Sequence, residues 1–235
     1  MRQTIKLFQI GLRQITKDGM LLVMVPAPFL IGLIFRFALP VVNSITENYL
    51  LFSILPWYGL ADGILVCIAP MMGSMICAFL LLEERDEGIG EFYQITPVGD
   101  YSYLIARIGF PMLWALAETI IVVAFFNLTA LSGFTILASS IVSALTGIFL
   151  AMLVVANAEN RVEGLALSKM SGVSLLGLVA VWFIPHPYRY FTAFLPAFWI
   201  GKLITDGGSF FPFVLGILSC LIWIGLFTRK FMRRI

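Results

Sequence analysis

The sequence predicts an all-α integral membrane protein with six transmembrane helices and both termini in the cytoplasm. Three observations carry this. First, 60% of the 235 residues are hydrophobic and only 12% are charged, whereas a soluble domain holds about 45–50% and about 25%. Second, the apolar residues gather in runs near the roughly 20 that a helix needs to cross a bilayer. Third, Lys and Arg are unevenly placed. Arg2, Lys6, Arg13, Lys17, Arg85, Arg107, Arg161, Lys169, Arg229, Lys230, Arg233 and Arg234 fall on one side, and Arg36, Arg189 and Lys202 on the other. Positive charge favours the cytoplasmic side, which sets the orientation as N-in, C-in.

The same composition excludes other classes. A formal charge of +2 gives no reason to expect nucleic acid as a partner. The three cysteines, Cys67, Cys77 and Cys220, all lie in apolar runs, which argues against a disulfide framework. His186 is the only histidine, and no ligand-like spacing points to a metal.

Residues 1–18 read as an amphipathic helix. Ile5, Phe8, Leu12 and Ile15 recur at helical spacing opposite Arg2, Lys6, Gln9 and Arg13. Such a helix lies in the membrane interface as an anchor or elbow. It is not a signal peptide, because its charges recur through Lys17 without a cleavage site. The spans follow as Gly19–Val41, Gly63–Leu82, Ser102–Asn127, Gly133–Asn157, Met170–Ile184 (starting earlier, near Leu165) and Phe210–Phe227. The count falls to five if the short fifth run is re-entrant. No charge interrupts Thr119–Ala158. Its roughly 40 residues would extend about 60 Å as one helix, so it must turn, and Asn127–Gly133 is the natural place. The segment from Asn157 to Lys169 reads as a solvated connector, and 185–208 as two short apolar pieces divided by Pro196. There Tyr188, Tyr190 and Trp199 suit an interface belt.

Two ionisable residues sit deep in the bilayer. Arg36 lies 16 residues beyond Met20 and Glu118 16 beyond Ser102, so each is about 24 Å above the inner boundary. Equal depth makes an Arg36–Glu118 ion pair feasible. Alternatively, Glu118 lines a translocation path that favours cationic or amphiphilic substrates. Arg107 is placed to snorkel to the cytoplasm. Pro26, Pro28, Pro70 and Pro111 kink their spans. Ser139, Ser143, Gly147 and Ala151 form a small-residue face for close helix packing, within the subunit or across a dimer.

The segment 83–98 is the most unusual. Four acids, Glu83, Glu84, Asp86 and Glu87, precede Gly88 and Gly90, and Glu91, Phe92, Tyr93 and Ile95 end at Thr96-Pro97. The glycines and Pro97 bound a short helix. An apolar-aromatic helix beyond the membrane surface needs a partner's groove. The pattern Glu84-x3-Gly88-x2-Glu91-Phe92-x3-Thr96-Pro97-Val98, followed by Tyr103-Leu104-Ile105-Ala106-Arg107, resembles the loop between the second and third spans of ABC-2 type transporter permeases. Within that family the chain is most similar to small subunits of drug export, fluoroquinolone-type. Ile89 departs from the Thr that many members carry.

The resemblance implies one membrane domain over 1–235, half of a dimer with an identical or paralogous half. It makes 83–98 a coupling helix gripped by an ATP-binding subunit through Glu84, Gly88, Glu91, Phe92, Thr96 and Pro97, and 185–208 the outer-leaflet helices. ATP and Mg would sit on that partner. The chain itself has no phosphate-binding Gly-x4-Gly-Lys string, since its one Gly-Lys pair, Gly201-Lys202, continues with Leu203. No catalytic group is expected. A secondary transporter or channel is the alternative, but no internal repeat supports it.

Overall fold

A computed structural model describes residue 11 and residues 13–88 and 105–232. Among the described residues there is no strand. Six helical stretches are long and apolar enough to cross a membrane: Gly19–Leu50, Leu55–Asp86, Arg107–Phe126, Gly133–Asn157, Arg161–Phe183 and Phe210–Phe231. These are called the first to sixth spans.

Several boundaries differ from those read off the sequence. The first span breaks at Val25-Pro26 into helices Gly19–Met24 and Ala27–Leu50. It also runs nine residues past Val41, through Asn43 and Glu47. Helix continues there because its polar groups are satisfied locally. The Asn43 amide donates to Glu47 Oε1 at 3.0 Å, and Asn43 Oδ1 accepts from the Ile54 backbone at 2.8 Å. The connector expected at 157–169 is also corrected. Residues Arg161–Ser168 form a helix capped by Asn160, whose side chain accepts from Glu163 N at 2.9 Å. After a turn at 169–170, Ser171–Phe183 completes the fifth span. Evenly spread charges had masked a well-capped start.

The second and fourth spans form the buried centre, and the first and sixth present most of their surface outward. The second packs on the third and fourth, and the fourth on the sixth. The second–fourth contact is built around Pro70. Proline has no N–H, so the Val66 carbonyl loses its helical donor, and Ser143 Oγ donates to it instead at 3.0 Å. One turn along, a Cβ on Gly147 would lie 2.8 Å from the Pro70 carbonyl oxygen. The small-residue face of the fourth span is thus used within the subunit. Gly147→Ala should therefore cost about 1–3 kcal/mol, since a helix carbonyl cannot step aside. A lowered unfolding midpoint of the detergent-solubilised protein checks this, and an unchanged midpoint would show that the two spans have slack.

Between the fifth and sixth spans the two short pieces are present, as the 3₁₀ turn Tyr188–Thr192 and the helix Pro196–Thr205. The helix does not lie in a surface belt. Pro196 to Ile204 are all buried, against the second, fourth, fifth and sixth spans. Trp199 is inside, its indole N–H donating to the Ala193 carbonyl at 2.8 Å. Tyr188 remains exposed.

Candidate functional site

The third span is described from Ile105 onward. A π-helical turn at Ile105–Gly109 leads directly into the helix Phe110–Phe126, whose second residue is Pro111. Glu118 stands on the helix Phe110–Phe126. It lies 11 residues beyond Arg107, about 16 Å along the helix. Arg36 lies further out. Its guanidinium donates to the Asn127 carbonyl at 2.9 Å, nine residues beyond Glu118 and so about 13 Å away along the axis. The contacts that a Cβ on Gly32 would make to Val122 and Phe126 fix the same register. The expected Arg36–Glu118 pair is not formed, because the two spans are offset along their axes and Arg36 stands level with Asn127 rather than with Glu118.

Glu118 is instead 6% exposed and lines a cavity of about 150 Å³. The cavity lies between the first, second and third spans, with walls that include Met24, Ala69, Gly73, Ile76 and Ala115. Glu118 Oε1 is buried without a hydrogen-bond partner among the described residues.

At the end of the bundle that carries the 89–104 segment, Glu84 and Arg107 meet. Both are 1% exposed. Arg107 Nε donates to Glu84 Oε2 at 3.1 Å, and the guanidinium Nη2 bonds Oε1. Arg107 therefore does not snorkel to water. Glu84, expected to face an ATP-binding partner, has its carboxylate turned into the chain. A Cβ on Gly11 would lie 2.7 Å from Arg107 Nη1, so Gly11 packs closely against the Arg107 side of the pair.

A second, more exposed cluster surrounds Arg161. It bonds Asp18, lies 3.6 Å from Glu83, and its backbone N–H donates to Asp86 at 3.0 Å. Asp18 also caps the first span, accepting from Met20 N and Leu21 N. The Arg161 hydrogen bond holds the Asp18 carboxyl below its ordinary range, and the two backbone donors act the same way.

Gly88 ends the second span's helix at a positive φ of 68°, which glycine accepts without strain. Glu91, Phe92, Thr96 and Pro97 lie outside the described residues. Glu84 and Arg107, which flank that segment, continue directly into the two spans that form two walls of the Glu118 cavity. Composition could not have shown this pairing. Placing an acid and a base at one membrane boundary on neighbouring spans was the signal available.

The protein-family model described as "Fluoroquinolones export permease protein Rv2686c-like" matches residues 11–228. Two curated proteins of Mycobacterium tuberculosis are similar: fluoroquinolones export permease protein MT2760 of strain CDC 1551 / Oshkosh and Rv2686c of strain ATCC 25618 / H37Rv. Each is 24% identical over 225 residues, covering 91% of this chain and 88% of the relative.

Proposed function

Because the chain belongs to the Rv2686c-like fluoroquinolones export permease family, matched over residues 11–228, we propose that it is the membrane subunit of an ATP-driven drug exporter. The protein is a multi-pass cell-membrane protein and a permease of an export family. The further step is that a separate ATP-binding subunit, carrying ATP and Mg, powers it, and that this chain catalyses no reaction itself. The observation that supports this most is the rooting of 89–104. Its flanks close on each other through Glu84 and Arg107, and each flank leads straight into a wall of the Glu118 cavity. A partner gripping the segment on the cytoplasmic side through Glu91, Phe92, Thr96 and Pro97 would have a rigid lever on that cavity. Glu84 serves this reading as the lever's anchor and Gly88 as its hinge. A second permease half, identical or paralogous, would cover the outward faces of the first or sixth span, and lipid the rest.

Inverted membrane vesicles carrying the chain with its ATP-binding subunit test the reading. ATP should drive uptake of a fluoroquinolone. Replacing Glu91–Pro97 by a Gly-Ser stretch should abolish both uptake and copurification of the ATP-binding subunit, while the chain still inserts. Uptake that persists without ATP, or with the replaced segment, would overturn it.

A further inference from the structure

The Glu118 cavity has the makings of a binding site. Its walls are apolar except for one carboxylate. An unpaired carboxylate buried in an apolar wall is costly, and a charge within a membrane span is kept where it meets a partner or a pathway. Among the described residues the other buried acids show what a structural carboxylate looks like here. Glu84 is held by Arg107, and Asp62 accepts from two backbone N–H groups and a hydroxyl. Glu118 Oε1 has none of this among the described residues. The nearest candidate cations of the flanking spans are committed elsewhere, Arg36 to Asn127 and Arg107 to Glu84. Among the described residues no donor reaches Glu118 Oε1, which leaves it open to a donor from outside.

Size narrows the class. An apolar cavity of about 150 Å³ holds one benzene-sized ring, and the volume here is about 150 Å³. Of the lining residues only Trp114 is strongly exposed. It lies in the middle of a span, so the mouth opens on the flank of the bundle where lipid lies, with an indole face to meet an arriving ring or cation. A thin apolar slot with one carboxylate at its wall suits an arylalkyl ammonium: the ring among Ala69, Gly73 and Ile76, and the amine on Glu118.

We propose that this cavity binds the protonated amine and one aromatic ring of a lipid-soluble arylalkyl ammonium compound, reached from the bilayer past Trp114. As a substrate contact of the exporter the site rests on the permease reading above. Binding itself needs neither ATP nor a partner, so the two ideas fail separately.

The test uses the full chain in nanodiscs of phosphatidylcholine and phosphatidylglycerol, with empty nanodiscs as the blank. ¹⁹F NMR compares 4-fluorobenzylamine, 4-fluorobenzyl alcohol and 4-fluorobenzoate near neutral pH. The amine should bind saturably and at least about tenfold more tightly than the alcohol, by the strength of a charge-assisted hydrogen bond, and the benzoate should not bind. Glu118→Gln should lower the amine to the level of the alcohol and leave the alcohol unchanged, which also reports that the cavity is intact. Should that variant not assemble, Glu118→Asp should weaken the amine alone. Equal binding of amine and alcohol, no saturable binding of any probe, or an amine preference that survives both substitutions would each overturn the proposal.

Discussion

Arg107→Met should destabilise the protein by about 3–5 kcal/mol, the cost of leaving one half of a buried ion pair without the other. Arg107 and Glu84 are both 1% exposed, so neither can turn to water when its partner is lost. At about 2–4 °C per kcal/mol for a chain of this length, the unfolding midpoint in detergent should fall by roughly 6–20 °C. The Glu84→Leu/Arg107→Met double variant should recover much of this, because an apolar pair of similar volume is often as stable as the buried ion pair it replaces. The two single effects must then be far from additive, since the residues share one interaction. A double variant that falls by the sum of the singles would show that the pair is not the unit that matters. Export adds a second reading. If the pair roots the 89–104 segment, the double variant should insert normally yet lose ATP-driven uptake, because a packed apolar contact lacks the directionality of a two-point guanidinium–carboxylate bond.

What the sequence made legible was set by length and hydropathy. Six runs of about bilayer length read as spans, and the described residues hold six helices long and apolar enough to cross a membrane. The turn at Asn127–Gly133 was forced by the length of an uncharged stretch, and it is there: helix ends at Phe126 and resumes at Gly133. Pro196 divided the segment between the fifth and sixth spans as expected, because proline favours a helix start. Errors arose where polar residues satisfy one another inside a helix. Asn43 and Glu47 looked like a loop, and Arg161–Ser168 like a connector, because hydropathy counts a polar group as costly without asking what it bonds to. The Arg36–Glu118 pair failed for a related reason. Equal counts from two apolar edges give equal depth only if the edges are level, and Arg36 instead stands beside Asn127, nine residues beyond Glu118. Burial of the helix Pro196–Thr205 was not visible because an interface helix and a buried one share the same aromatic composition. The Glu118 cavity was half legible: the acid stood out in its run, while the ring-sized space around it is lined by residues of different spans, Gly73 and Ala115 among them.

The second large effect belongs to Asp62, which immediately precedes the apolar run Gly63–Leu82. It is 1% exposed. Its two oxygens accept from Leu128 N at 2.8 Å, from Thr129 N at 2.9 Å and from the Thr129 hydroxyl. One carboxylate on the second span thus holds the turn that joins the third and fourth. The neighbouring Asn127 Oδ1 accepts from Leu131 N at 3.3 Å, and Arg36 closes the outer side by donating to the Asn127 carbonyl. The turn also carries Ala130 at a φ of 51°, a left-handed conformation that a non-glycine residue keeps only when its surroundings impose it. Asp62→Ala removes the acceptor for two backbone donors at once. Hydrogen bonds to a charged group contribute about 1.5–3 kcal/mol each and are not additive, so the expected loss is roughly 3 kcal/mol. Asp62→Asn should cost about half as much. It keeps one carbonyl oxygen for Leu128 N, but its NH₂ faces the Thr129 N–H, donor against donor. The order wild type, Asn, Ala in unfolding midpoint is the expected result, with protease cleavage within 127–132 rising in the same order. Equal midpoints for Asn and Ala would mean that the second oxygen holds the turn, and an unchanged Ala variant would mean that Arg36 and Asn127 hold it alone.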